Sequence, residues 1–484
     1  MIARGRKAYF TASVISQAVA LLRYVLLARL LGPVELGFAA MLILTASFFE
    51  SISDTGSDRF LIQDPEGDSV SMLGFVHLVM AGRGLVIALS IALFSVPLAG
   101  LYHSPQLVNS LVVLGLAPLI GGFVHLDVRR LQRHGDFWPE SLMTIISETV
   151  GLAGTIGAAW ITRDHTAVIY GLTARAAAMV IVSHVMAERP YGWAFARSEG
   201  VRFSRFAAPL FLNGFLLFVG SQGDRLIVAN RVGPAALGHY SAVLLLILYP
   251  ASALQRFVAG THLPLIAAAR PDPAQLDQEG QRLAGRTLML AIAMAAGFAL
   301  VGPIATPILY GHRFAQGPLI FALLGAVQSA RFLRVWPTTL AIAMGKTMIL
   351  TANNLARQIA FPVALVATLY YPSLASIVVG FLVGEVIAIM VALALLARDP
   401  AIRPGPEARR VRDFVLVALA LIAAGWSAEN GRMLWTLVSI GAVAATIALA
   451  SWNERVVVAE AWRLGRREVT RYSGRLLKLR RSAP

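Results

Sequence analysis

Eight charged side chains stand near the middle of apolar stretches: Arg23, Arg83, Glu148, Arg175, Asp224, Arg225, Arg357 and Glu385. A charge at mid-membrane depth costs about 2.5–3.5 kcal/mol on insertion scales, so each needs a partner or a wet cavity. Guanidinium groups keep their charge and offer a planar fork that matches phosphate oxygens. Arg23, with Gln17 nearly two turns before it, and Arg225 therefore read as donors for a phosphate-bearing anion. The plainer reading of Arg225 is pairing with its neighbour Asp224 and snorkelling outward. Arg256 is a further cavity candidate, whereas Arg83 reads as a snorkelling residue at the inner end of its stretch. Asn213, Gln222, Asn353 and Asn354 could exchange hydrogen bonds with sugar hydroxyls, or simply tie helix to helix.

The carboxylates allow two chemistries. Glu148 and Arg175 lie at similar depth on neighbouring stretches, as do Arg357 and Glu385, which predicts structural ion pairs. Alternatively Glu50, Asp54, Glu148 or Glu385 titrates and couples transport to a proton or sodium ion. Glu50 and Asp54, spaced i,i+4, share one helix face, and Asp54 also reads as a cap beside Gly56. Other chemistry is poorly represented. There is no cysteine, hence no thiolate site or disulfide. The nine histidines have no metal-ligand spacing. No glycine-rich loop runs into a lysine, so the chain is not by itself an ATP-driven pump. Gly151-Leu152-Ala153-Gly154-Thr155-Ile156-Gly157 reads as close helix packing. No cofactor or metal is implied.

The elements that hold these residues are set by composition. Hydrophobic residues make up 57% of the 484 and charged ones 14%, too little charge for a soluble surface. The apolar residues fall in blocks near the length that crosses a bilayer. The predicted crossings are 8–31, 36–56, 82–102, 106–126, 140–161, 166–187, 206–229, 237–259, 287–308, 317–336, 347–370, 373–397, 413–430 and 432–451. The first reads as a retained span, not a cleaved leader. The predicted fold is an all-α polytopic membrane protein of about fourteen helices. With the N-terminus inside, inner segments hold about 29 Lys or Arg and outer ones about five. Both ends are thus expected in the cytoplasm of a cell bounded by this inner membrane. Because the net charge of +16 is spread over those loops, nucleic acid is not an expected partner.

The chain repeats itself. Ala28-Arg29-Leu30-Leu31-Gly32-Pro33-Val34-Glu35-Leu36-Gly37 matches Ala229-Asn230-Arg231-Val232-Gly233-Pro234-Ala235-Ala236-Leu237-Gly238 at a constant offset of about 201 residues. Each copy lies at the turn between the first two crossings of its half. An even number of crossings separates them, which makes a parallel repeat. The expected organisation is a six-helix lobe over 1–200, a second over 201–400, two added helices over 401–451 and a basic tail over 452–484. The tail alternates Arg463, Arg466, Arg467, Arg471, Arg475, Lys478, Arg480 and Arg481 with apolar residues. It suits anionic lipid at the inner leaflet or a docked partner enzyme.

Ala28 to Pro33 with Leu36-Gly37 resembles the first-span signature of Wzx-type polysaccharide flippases, in the multidrug/oligosaccharidyl-lipid/polysaccharide exporter superfamily. Asp54-Thr55-Gly56 with Phe60-Leu61-Ile62-Gln63 is similar to the end of their second span. Gly223-Asp224-Arg225-Leu226-Ile227 through Tyr240 is similar to the start of their second lobe, and Pro264-Leu265-Ile266 fits as well. The resemblance implies two six-helix lobes about a central cavity and alternating access that moves a polyprenyl-pyrophosphate-linked oligosaccharide outward for surface polysaccharide. It further implies glycosyltransferases or a polymerase as partners. Related lipid II flippases carry two cavity arginines on span 1; Arg23 matches one position, and Gln17 occupies the other. A drug or cation antiporter of the same superfamily is an alternative, but the mid-span charge here leans basic. A glycosyltransferase, polymerase or ligase acting on the same carrier is a third reading. The short external loops disfavour it, because only Glu35, Asp164 and Glu429 sit in or near them.

Overall fold

A computed structural model describes residues 2–195, 197–398, 405–459 and 463. Among them all regular structure is helical, the solution open to a chain whose backbone groups cannot bond to lipid. The first half runs α1 (Ile2–Leu31), α2 (Pro33–Ile52), α3 (Ser57–Gln63), α4 (Val70–Leu93), α5 (Ser95–Leu101), α6 (Leu107–Leu114), α7 (Leu116–Gly121), α8 (Asp127–Arg133), α9 (Trp138–Thr162) and α10 (Ala167–Met186). The second half runs α11 (Arg197–Arg231), α12 (Pro234–Ala269), α13 (Pro273–Tyr310), α14 (Pro318–Leu333), α15 (Val335–Ala343), α16 (Thr347–Arg357), α17 (Ala360–Tyr370) and α18 (Leu374–Leu396). Two more, α19 (Glu407–Glu429) and α20 (Met433–Asn453), follow. Of the basic tail over 452–484, only 452–459 and Arg463 are among the described residues.

Among the described residues, twelve helical stretches are long and apolar enough to cross a membrane, and a shorter apolar one covers Leu107–Gly121. Every predicted crossing thus has a helical counterpart, but two are interrupted. The stretch 106–126 divides into α6 and α7, and 347–370 into α16 and α17. The crossing predicted at 82–102 is displaced: the long helix is Val70–Leu93, and α5 takes the remainder. The apolar block 71–102 is longer than one crossing needs. Taking Arg83 as its inner boundary chose the wrong end, since Arg83 is well inside α4.

Packing divides the described chain into two compact units. The first contains 1–249, 304–316 and 361–380; the second contains 250–303, 317–360 and 381–484. Their bounds therefore differ from those of the sequence repeat at 1–200 and 201–400. They fall inside helices, at Pro250 within α12 and beside Pro303 within α13. Helix α11 packs with the first unit, principally along α2.

The repeated Gly-Pro motif has a physical purpose in the first unit. Gly32 and Gly233 turn the chain with φ of +80° and +104°, values that favour glycine. Five residues on, Gly37 and Gly238 pack reciprocally against the other copy. A Cβ on Gly37 would lie 1.8 Å from the Pro234 carbonyl oxygen, and one on Gly238 2.0 Å from that of Pro33. The first turns of α2 and α12 therefore cross backbone to backbone, flanked by the fully buried Leu36 and Leu237. Gly238→Ala is expected to destabilise the protein by about 1–3 kcal/mol, the range for overpacking a tight contact. Thermal unfolding in detergent measures this; an unchanged midpoint would show that the crossing yields freely.

In the second unit, Arg410 anchors α19 to the chain just past α20. Its Nε and Nη2 donate to the two Glu454 carboxylate oxygens at 2.7 and 3.0 Å, and its guanidinium lies 5.9 Å from the Trp336 ring centroid. Gly425 brings α19 against Leu319 of α14.

Candidate functional site

Helices α9 and α10 pair closely because small residues line their seam. Gly171 faces Thr155, and Gly154 faces Ala174. Gly151 leaves room for two arginines: a Cβ there would lie 2.9 Å from Arg175 Cβ and 3.2 Å from Arg23 Nη1. The seam thereby admits a charged triad. Arg175 Nε donates to Glu148 Oε1 at 2.7 Å, and Arg23 Nη1 stands 3.4 Å from Glu148 Oε2. Glu148 is nearly buried, with a side chain 9% exposed, while the Arg23 side chain is 21% exposed. One carboxylate thus serves two guanidinium groups, and the triad keeps a net positive charge.

Arg23 and Arg225 line one cavity of about 180 Å³ in the first unit, with Tyr24, Thr155, Ser241 and Tyr249. Arg225 Nη1 donates to Gln222 Oε1 at 2.9 Å. Asp224 is occupied otherwise: its carboxylate accepts from the Tyr240 hydroxyl and the Arg225 backbone N–H, both at 2.8 Å. The snorkelling pair Asp224–Arg225 therefore does not describe this site. Tyr240 is fully buried and holds one Asp224 carboxylate oxygen.

A second cavity in the same unit, about 390 Å³, is lined by Glu50, Arg83 and Arg175 among apolar and small residues of α2, α4, α7 and α10. Both cavities share Ile43, and Arg175 reaches from this one to the triad. Arg83 does not snorkel. Its Nε donates to Ser53 Oγ at 3.1 Å and its Nη2 to the Glu50 carbonyl at 2.8 Å, capping orphan groups at the end of α2. Asp54 accepts from the Gly56 N–H at 2.9 Å and from Arg59 Nη2 at 2.6 Å, the geometry of a cap.

The remaining candidates are scattered. Gln17 donates back to the Ser13 carbonyl at 3.3 Å. Asn213 is exposed, and so is Arg256; the neighbouring Gln255 lines a pocket instead. In the second unit Glu385, 1% exposed, meets Arg331 Nε at 2.9 Å and Arg334 Nε at 3.4 Å. Arg357 is within electrostatic reach of the same carboxylate. The Glu385 end of the predicted Arg357–Glu385 pair thus belongs to a larger cluster. Asn353 is fully buried and accepts from Arg334 Nη1 at 3.2 Å, whereas Asn354 is exposed. Sequence reasoning passed over Arg331 and Arg334 because it placed them at the end of a crossing, where cations are ordinary. Their i,i+3 spacing on one helix face was the available signal.

The sequence profile described as "Polysaccharide biosynthesis protein" matches residues 26–317, more than half the chain. The chain belongs to that family. Among similar proteins, the succinoglycan biosynthesis transport protein ExoT of Rhizobium meliloti (strain 1021) is 25% identical over 307 residues. That alignment covers 62% of this chain and 60% of ExoT, so the chain spans about three-fifths of that relative's length. In fold, this family member is similar to the lipid II flippase MurJ in an inward closed conformation. The TM-score is 0.67 at 14% identity, covering 93% of this chain and 99% of MurJ. It is also similar to an inward-facing multidrug resistance MATE transporter, with a TM-score of 0.55 at 14% identity over 84% and 95% of the two chains. The profile match contains both copies of the Gly-Pro motif together with Arg175, Glu148 and Arg225. Arg23 lies just before it.

Outside the crossings, α8 is held by a dense polar clasp. His77 Nε2 accepts the Leu126 N–H at 3.0 Å, which leaves its Nδ1 to donate to the Gly192 carbonyl at 3.2 Å. His125 Nδ1 accepts the Asp127 N–H at 3.1 Å. Two backbone donors at the start of α8 are thus capped by imidazole nitrogens. Asp127 is buried, which alone would raise its pKa. Hydrogen bonds from Arg130 at 2.5 Å and the Glu188 N–H at 2.8 Å outweigh that and hold it below the usual carboxylate value. A depressed folded pKa contributes stability that is complete above the unfolded value, about 3.9, and is lost as pH falls through the folded one. The stability gap between the wild type and Asp127→Asn should therefore be full at pH 6 and shrink below about pH 4. Thermal unfolding across pH measures it, and a gap that widens in acid would contradict the assignment.

Proposed function

We propose that the protein is a flippase that carries a polyprenyl-pyrophosphate-linked oligosaccharide across the cytoplasmic membrane for surface polysaccharide synthesis. The observation that carries this reading is the shared cavity of Arg23 and Arg225 in a member of the polysaccharide biosynthesis protein family. A pyrophosphate crossing a low-dielectric interior needs fixed positive donors, and this cavity has two on α1 and α11. Gln222, already held by Arg225, positions that fork. The name of ExoT as a transport protein supports movement over chemistry, as does the resemblance in fold to transporters. On this reading the substrate is the lipid-linked oligosaccharide, and its makers and polymerase are the natural partners. Both termini face the cytoplasm, as the basic inner loops require, and the two repeats over 1–200 and 201–400 alternate access to the cavity.

Cation antiport fits less well, because among the described residues no carboxylate lines the cavity that holds Arg23 and Arg225. Glu50, in the neighbouring cavity, is the candidate for ion coupling. The test is reconstitution of the purified chain into vesicles with a fluorescent undecaprenyl-pyrophosphate oligosaccharide. Protein-dependent translocation is expected, inhibited by excess inorganic pyrophosphate. Equal movement in empty vesicles, or equal handling of the same sugar on a neutral lipid, would refute the reading. Coupling is tested in the same vesicles, since rates indifferent to both proton and sodium gradients would remove Glu50 from that role.

A further inference from the structure

The second unit contains a cationic pocket that the pyrophosphate site does not use. Gln255 of α12, Arg331 of α14, Arg334, Val335 and Thr338 at and after the α14–α15 junction, and Leu350 and Asn354 of α16 enclose about 240 Å³. The segment from Pro318 to Tyr370 contains Arg331, Arg334, Lys346 and Arg357 and not one Asp or Glu; α12 contains no acid either. The carboxylate that meets the two lining arginines comes from α18: Glu385, which pairs with Arg331 and Arg334 and is within electrostatic reach of Arg357. Three guanidinium groups therefore converge on one buried carboxylate. Arginine cannot shed its proton, and excess positive charge in a low-dielectric surround calls for a counter-anion. The remaining wall matters as much. Gln255, Thr338 and Asn354 place neutral donors and acceptors beside the forks, and Asn354 is exposed.

We propose that this pocket binds a carboxylate-bearing sugar of the transported oligosaccharide, so that the substrate class is an acidic oligosaccharide. The inference rests on the flippase reading. It deepens that reading by assigning a second anion to the cargo. A planar carboxylate suits the Arg331–Arg334 pair as a bidentate acceptor. Ring hydroxyls next to it would meet Thr338, Gln255 and Asn354. A phosphate group is the other oxyanion with this chemistry, and the test separates the two.

The test measures binding to the purified full-length chain by calorimetry with three probes: digalacturonate, its dimethyl ester and inorganic pyrophosphate. The wild type is expected to prefer digalacturonate over the ester by at least about tenfold, or 1.4 kcal/mol. Arg334→Gln should abolish that preference, and Arg23→Gln should leave it intact while losing pyrophosphate. Because Arg334 also holds Glu385, its loss can unfold the protein. Asn354→Asp is the second variant: it adds a negative charge to an exposed wall and should remove the preference without touching the cluster. Equal binding of acid and ester by the wild type overturns the proposal. So does a preference that survives in folded Asn354→Asp, or loss of pyrophosphate but not digalacturonate in Arg334→Gln, which would make the pocket a phosphate site. Pyrophosphate binding indifferent to Arg23→Gln, with the acid preference intact, would instead count against the flippase reading alone.

Discussion

Arg23→Gln is expected to lower translocation of the pyrophosphate-linked substrate by about thirtyfold or more, equivalent to about 2 kcal/mol. The reason lies in what else touches this side chain. Glu148 is already bonded to Arg175 at 2.7 Å, whereas its distance to Arg23 is 3.4 Å. Glutamine at position 23 therefore leaves the Glu148–Arg175 pair standing, and the α9–α10 seam with it. What is removed is a permanently charged fork at the cavity wall. Lysine should restore only part of the rate, because an ammonium keeps the charge but not the planar bidentate geometry. Arg225→Gln should cost less, since Arg225 already spends one N–H on Gln222. Vesicle translocation rates measure all three, with thermal unfolding as the control for folding. Full activity in Arg23→Gln at normal stability would end the phosphate role of this residue.

Glu385→Ala is expected to be the most destabilising single change, by about 3–5 kcal/mol, the range for breaking a buried ion pair by removing one partner. Arg331 and Arg334 would lose the carboxylate that they clamp at 2.9 and 3.4 Å, and neither can become neutral. The unfolding midpoint in detergent should fall by several degrees, and expression should fall with it. Combining Glu385→Leu with Arg331→Leu should recover part of the loss, because an apolar pair of similar volume often replaces a buried ion pair without penalty. A Glu385→Ala protein as stable as the wild type would mean that solvent already screens the cluster. The same experiment bears on coupling. A carboxylate clamped by two arginines acts as a fixed counter-ion, which leaves Glu50, whose carbonyl rather than carboxylate receives Arg83, as the better carrier candidate.

The membrane fold was legible in the sequence because it is dictated by local quantities. Block length against bilayer thickness, and charge, Pro and Gly at block ends, are properties of neighbours in the chain. The repeated Gly-Pro turn was visible for the same reason. Where the local rule was ambiguous, the reading slipped. The block from Ser71 to Tyr102 is longer than one crossing and contains one full charge, Arg83, and reading that charge as a boundary misplaced α4. Breaks inside α6–α7 and α16–α17 escaped as well, since a short interruption barely changes the mean hydropathy of a stretch.

The full set of partners around each buried charge was decided by tertiary structure. Depth along a helix placed Glu148 beside Arg175, but no periodicity could reveal that Gly151 opens room for Arg23 to join them. Sequence adjacency paired Asp224 with Arg225, yet on a helix consecutive side chains diverge by about 100°, and Tyr240, sixteen residues on, takes the acid. Glu385 was assigned to Arg357 from matched depth, but depth did not reveal that Arg331 and Arg334 also meet the same carboxylate. Residue type and depth follow from the order of amino acids. Which faces meet depends on how each helix is rotated about its axis, and that rotation is fixed only when all the packed seams are satisfied together.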